Sequence, residues 1–204
     1  MSFYPRLNET PSQTAGPFIH IGCLPSQLGK KYKNFFNLGS KLLNKETKGE
    51  RITVTGKVFD GEENPVKDGL IEIWQADSNG LYNSPEEKRG MADPNFSGWG
   101  RSACDSMSGS WCFKTIKPGP IILNDKHQIA PHISIWFVAR GINLGLNTRM
   151  YFSEEKLLNE NDQLLKYLKS KNKIDSLMAK KIDIDVYEFN IYLQGKKETI
   201  FFDI

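Results

Sequence analysis

Residues 130–143, read APHISIWFVARGIN, constrain the fold more than any other stretch of the chain. An extended backbone turns successive side chains to opposite faces, so Ile133, Ile135 and Phe137 share one face while His132, Ser134 and Trp136 share the other. The first face belongs in a core. The second presents an imidazole, a hydroxyl and a large ring to some other surface. Arg140 follows where the strand should end, and a buried or half-buried guanidinium there needs an anionic partner. The same period of two recurs in Ile52, Val54 and Val58 of RITVTGKVFD, and a turn-rich link, GEENPVKDG, leads to a second strand at 70–74, LIEIW.

Further strands are predicted at 110–115, 132–139, 148–152, 185–193 and 198–202. Short strands punctuated by glycine and proline are the signature of an all-β sandwich. Within SEEKLLNENDQLLKYLKSKN, Leu157, Leu158, Leu164, Leu165 and Leu168 fall at partly helical spacing, which predicts one or two short helices. Residues 1–24 show neither period and read as an ordered arm or loop, with Phe18, Ile19 and Ile21 supplying apolar weight for packing. Residues 41–50 read as a surface connection. A length of 204 residues suits one domain, 1–204, with the arm and connecting segment up to residue 50 and the sandwich core from 51.

Charge and cysteine content exclude several classes. The net charge of +3 is dispersed, with no basic stripe interleaved with stacking aromatics, so no nucleic-acid partner is expected. No apolar run reaches the length of a membrane span, and the N-terminus lacks the pattern of a signal peptide. Cys23, Cys104 and Cys112 are odd in number and lack metal-site spacing. A reducing, cytoplasmic setting is expected.

Five segments in collinear order, TPSQTAGPFIHIG, IEIWQADSNGLY, TIKPGP, APHISIWFVARGIN and ETIFFDI, resemble the intradiol ring-cleavage dioxygenase family, and within it the alpha chains of the hetero-oligomeric members. The resemblance implies an intradiol-type β-sandwich with an N-terminal arm and long loops. It implies a higher-order assembly of alpha–beta pairs in which the homologous beta chain holds a non-haem Fe(III). The implied reaction, part of the β-ketoadipate route of aromatic catabolism, cleaves protocatechuate between its hydroxylated carbons and inserts both atoms of dioxygen, giving 3-carboxy-cis,cis-muconate.

Family members hold iron with two tyrosines and two histidines, an oxygen-rich donor set suited to a ferric ion. On this sequence those positions fall on Tyr82, Ile121, His132 and Ser134. Isoleucine has no lone pair to offer and a serine hydroxyl is a poor ligand, so no metal and no catalytic residue are expected in this chain. His20 and His127 stand at no ligand position of the family. The resemblance instead assigns Thr14, Gly16, Pro17 and Phe18 to an arm lining the partner's substrate cavity, and Arg140 to the cavity mouth, where it would meet the substrate carboxylate. Phe18 stands where the family often has tyrosine. Three alternatives remain open at this stage. The arm would be a subunit clasp and Arg140 an intersubunit salt bridge; the chain would be a stand-alone binding module; or it would be a self-sufficient dioxygenase in which Tyr82, His132 and a borrowed His or carboxylate bind iron in a homo-oligomer.

Overall fold

Strand β1, Arg51–Phe59, buries every second residue, and Ile52, Val54 and Val58 are almost inaccessible while the threonines between them are half-buried. A computed structural model of the chain describes residues 8–24, 39, 42–124, 127–170 and 174–203. After the one-turn helix α1 (Ile19–Cys23) and β1 come β2 (Leu70–Trp74), β3 (Trp99–Ala103), β4 (Ser110–Ile116), β5 (Ile121–Asn124), β6 (His127–Ile129), β7 (His132–Val138) and β8 (Leu146–Phe152). Helices α2 (Lys156–Asn161) and α3 (Gln163–Lys169) precede β9 (Met178–Lys181), β10 (Val186–Glu188) and β11 (Ile191–Tyr192).

Two layers enclose the core. One is β4–β1–β10, with β11 continuing along β1. The other is β3–β2–β7–β8, all antiparallel. Strand β9 joins them, because Met178 and Ala179 pair with β8 while Lys180 and Lys181 pair with β10. Both layers feed one cluster: Val54 and Phe113 from the first meet Ile73, Ile135 and Phe137 from the second. Helix α3 is fixed to the second layer by Asp162, whose carboxylate accepts from the Leu165 amide at 3.0 Å as a helix cap and from the Ala130 amide at 3.0 Å.

The all-β architecture and its two short helices agree with the sequence reading, and five details correct it. The 185–193 strand is broken at Phe189 and Asn190, where the Asn190 side chain accepts from the Lys57 amide at 2.9 Å. Residues 198–202 form no strand, only a bridge from Phe202 to Asn147, since that segment is held by scattered bonds such as Thr148 Oγ1 to the Ile200 carbonyl at 2.7 Å. Strands β3, β5, β6 and β9 were not anticipated. In the arm, α1 supplies one helical turn, and in the 41–50 connection Leu42 and Thr47 are buried rather than on the surface.

Candidate functional site

The arm and Arg140 meet. The Thr14 hydroxyl donates to the Ala139 carbonyl at 3.3 Å and accepts from the Gly141 amide at 2.7 Å, so it brackets Arg140 from both sides. The arm's own anchorage is apolar. Ala15, Ile19 and Cys23 pack on Leu70, Ala103 and Val138 of the second layer's outer face. Gly16, Pro17 and Phe18 project away, and Phe18 is 71% exposed. The Arg140 side chain is 67% exposed and its ion-pair partner is Asp68, at 3.2 Å. A pair this wet contributes at most about 1 kcal/mol, which leaves the guanidinium available to a stronger acceptor.

The four positions that the resemblance assigns to iron fall on the loop after β2, at the start of β5 and on β7. Buried Asp77 organises the loop bearing Tyr82: its carboxylate accepts from the Asn79, Leu81 and Asp93 amides at 2.8, 3.0 and 2.9 Å. The loop leading into Ile121 at the start of β5 is pressed against it, with the Gly119 amide donating to the Asp77 carbonyl at 2.9 Å. Gly80, at φ +76°, is obligatory at this contact, because a Cβ there would lie 2.0 Å from the Pro120 carbonyl oxygen. The scaffold of the two loops is therefore complete.

The donors on that scaffold are another matter. Tyr82 stacks on Trp74 with ring centroids 5.6 Å apart, and burial raises its phenol pKa despite the opposing charge of Arg149. His132 is 3% exposed, and its Nδ1 donates to the Ala130 carbonyl at 2.8 Å. Burial, reinforced by the Arg149 charge, depresses its pKa to about 4, so the ring is neutral at pH 7. Ile121 is buried, and Ser134 is half-buried on β7.

Strand register explains the presence of Arg149. On the outer face of the second layer, Trp99, Trp74, Ser134 and Arg149 form one cross-strand row, and Arg101, Glu72, Trp136 and Asn147 form the next. Arg149 thus stands directly opposite Ser134 and close enough to influence the ionisation of Tyr82, His132 and Tyr151. A permanent cation beside two missing donors disfavours a ferric ion on the same spot. These residues do not fit that metal. Register across β7 and β8 was needed to see this; from the sequence alone, Arg149 reads as one more outward residue of a strand. Of the other histidines, His127 faces solvent and bonds Asn124, and buried His20 lies in α1, its Nδ1 lacking a partner.

Comparison with known proteins follows this geometry closely. A family model described as "Dioxygenase" matches residues 37–195. The chain is 37% identical over 200 residues to the protocatechuate 3,4-dioxygenase alpha chain of Pseudomonas putida, covering 97% of both, and 33% identical to that of Burkholderia cepacia, covering 97% of this chain and 98% of the relative. A beta chain from Burkholderia cepacia is 39% identical over 118 residues, 56% of this chain and 50% of that one. Among solved structures, the dioxygenase domain of a carbohydrate-binding fusion from Streptomyces sp. SirexAA-E shares the fold at TM-score 0.57 and 24% identity, over 81% of this chain and 96% of that one. An intradiol ring-cleavage dioxygenase from Tetranychus urticae does so at 0.56 and 21%, over 79% and 90%. With residues 37–195 matched by the family model and nearly its whole length covered by relatives, the chain belongs to the dioxygenase family.

Proposed function

We propose that this chain is the alpha component of a protocatechuate 3,4-dioxygenase, completing the substrate cavity of a beta chain that carries Fe(III). The observation that carries this reading is the combination of an intact two-loop scaffold with Ile121, Ser134 and Arg149 on it: a family frame that cannot hold the family's metal. The chemistry supplied by iron, which makes a bound catechol reactive toward dioxygen, then belongs to the partner. This chain's residues bind, orient and exclude water.

Within that reading, Gly16, Pro17 and Phe18 form a stiff, largely apolar wall that a partner's cavity would cover, and Thr14 fixes the backbone from which Arg140 reaches the substrate carboxylate. Arg140, itself exposed, exchanges its half-buried Asp68 partner for an aromatic acid, a match of one planar fork to one carboxylate. The chain acts as one domain within a higher-order alpha–beta oligomer, in the cytoplasm. The test is iron content, visible absorption and protocatechuate turnover of the chain purified alone and after co-expression with its beta chain. Colour and activity confined to the co-purified complex are expected. A single chain that binds iron and cleaves protocatechuate would overturn the reading.

A further inference from the structure

The two cross-strand rows on the outer face of β3–β2–β7–β8, Arg101 apart, floor a cavity of about 430 Å³, within the range of roughly 300–1,000 Å³ common for small-molecule sites. Leu164 of α3 and the C-terminal Phe202 and Asp203 also border it. Three of its lining residues are tryptophans, Trp74, Trp99 and Trp136, and the first two are direct cross-strand partners. The two arginines of these rows differ in kind, and Arg149 is the one that lines the cavity. Arg101 is committed, donating from Nε to Glu72 at 2.7 Å. Arg149 has no carboxylate within salt-bridge distance among the described residues; it touches the Tyr151 hydroxyl at 3.5 Å and lies 6.0 Å from the Phe202 ring centre. A half-buried guanidinium with no ion-pair partner among the described residues, set in an aromatic cavity, is an incomplete charge arrangement.

We propose that this cavity is a binding site for a planar aromatic carboxylate, held by Arg149 through its carboxylate and by Trp74 and Trp99 through its ring. Arginine's planar fork matches a carboxylate in two parallel hydrogen bonds, and indole surfaces favour a flat ring over an aliphatic or phosphate ligand. Asn147 and Ser134, on the same floor, offer a polar rim for a ring hydroxyl. The site stands on the cavity itself and does not require the alpha-component reading, since every group it uses lies in this chain.

Calorimetric titration of the purified full chain with 4-hydroxybenzoate, and with its neutral isostere 4-hydroxybenzamide, tests the site on unaltered protein. One saturable site per chain is expected for the acid, with the amide about tenfold weaker or worse, as loss of one charge-assisted pair implies. Equal affinities, or no saturable heat from the acid, overturn the proposal. Arg149→Gln and Trp99→Leu, each checked for native circular dichroism, should weaken the acid about tenfold, while the amide should respond to Trp99→Leu alone. In the assembled complex, Arg149→Gln should weaken one 4-hydroxybenzoate site per alpha chain about tenfold. Affinities unchanged at every site there would mean that the partner chain closes the cavity, and the proposal falls.

Discussion

Replacing Gly80 with alanine probes whether the loops carrying Tyr82 and Ile121 are locked by backbone contact. Two costs add at this position. The left-handed φ of +76° costs an L-residue about 1–2 kcal/mol, partly offset by about 0.4–1 kcal/mol from a stiffer unfolded chain. The new Cβ would also lie 2.0 Å from the Pro120 oxygen and 2.9 Å from its carbonyl carbon, neither of which is a movable side-chain end. Relief requires the loops to part, at about 1–3 kcal/mol of strain, and weakens the Gly119 to Asp77 bond, worth about 1 kcal/mol. The sum is about 2–5 kcal/mol. Gly195 is the control, because its φ is +92° and nothing lies within 4 Å of an added Cβ, so Gly195→Ala carries the backbone cost alone. Urea unfolding of both variants, followed by circular dichroism and tryptophan fluorescence, should give Gly80→Ala a midpoint lower by the equivalent of about 2–4 kcal/mol. If the two variants agree within about 0.5 kcal/mol, contact between the loops is not what holds them.

Three further outcomes are expected. The His132 pKa of about 4 lies below the ordinary 6.5, so between those pH values the unfolded chain binds more protons; stability should fall as pH drops from 6.5 toward 4, by about 3 kcal/mol at most, and His132→Asn should flatten that slope in pH-dependent urea midpoints. In the assembled enzyme, Arg140→Ala should raise KM for protocatechuate about tenfold or more while leaving KM for catechol within about twofold; equal effects on both would assign Arg140 to a subunit contact instead. Its effect on unfolding should stay below about 1 kcal/mol, because the Arg140 side chain is exposed and its pair with Asp68 is screened by solvent. Thr14→Val, which keeps shape and removes the hydroxyl, should speed hydrogen exchange of the Gly141 amide, and unchanged protection would show that the arm is held by its apolar contacts alone.

How much of this was legible in the sequence depended on what each strand buries. Strands β1, β2 and β7 were legible because one face of each carries aliphatic or aromatic residues into the shared core. Strand β3 was not, since its inward positions are Gly100, packed against Leu42, and Ser102, while Arg101 on the other face is paired to Glu72. Its alternation is one of size and charge rather than hydropathy. Strand β9 gives two residues to each neighbour and never completes a period. The reverse error occurred at 198–202, where apolar residues at suitable spacing serve as plugs against Thr148 and Asn147 without a ladder. At the site, the family motifs singled out Thr14 and Arg140 separately, but not the hydrogen bonds from Thr14 to the residues on either side of Arg140. The opposition of Ser134 and Arg149 was not legible either, because it exists only in the register of β7 with β8.

The position of β1 between partners from distant parts of the chain sets the order in which the protein can be built. Its pairing with β4 becomes available early in synthesis, but its other edge waits for β10 and β11, as the Lys57 to Asn190 bond across 133 residues illustrates. During elongation at about 5–20 residues per second, the ribosome must deliver those residues before that edge is closed. A nascent or prematurely terminated chain lacking 186–192 carries an open strand flanked by core-facing aliphatics, a template for pairing with a neighbour. Yield of assembled protein is thereby tied to completion of the last strands.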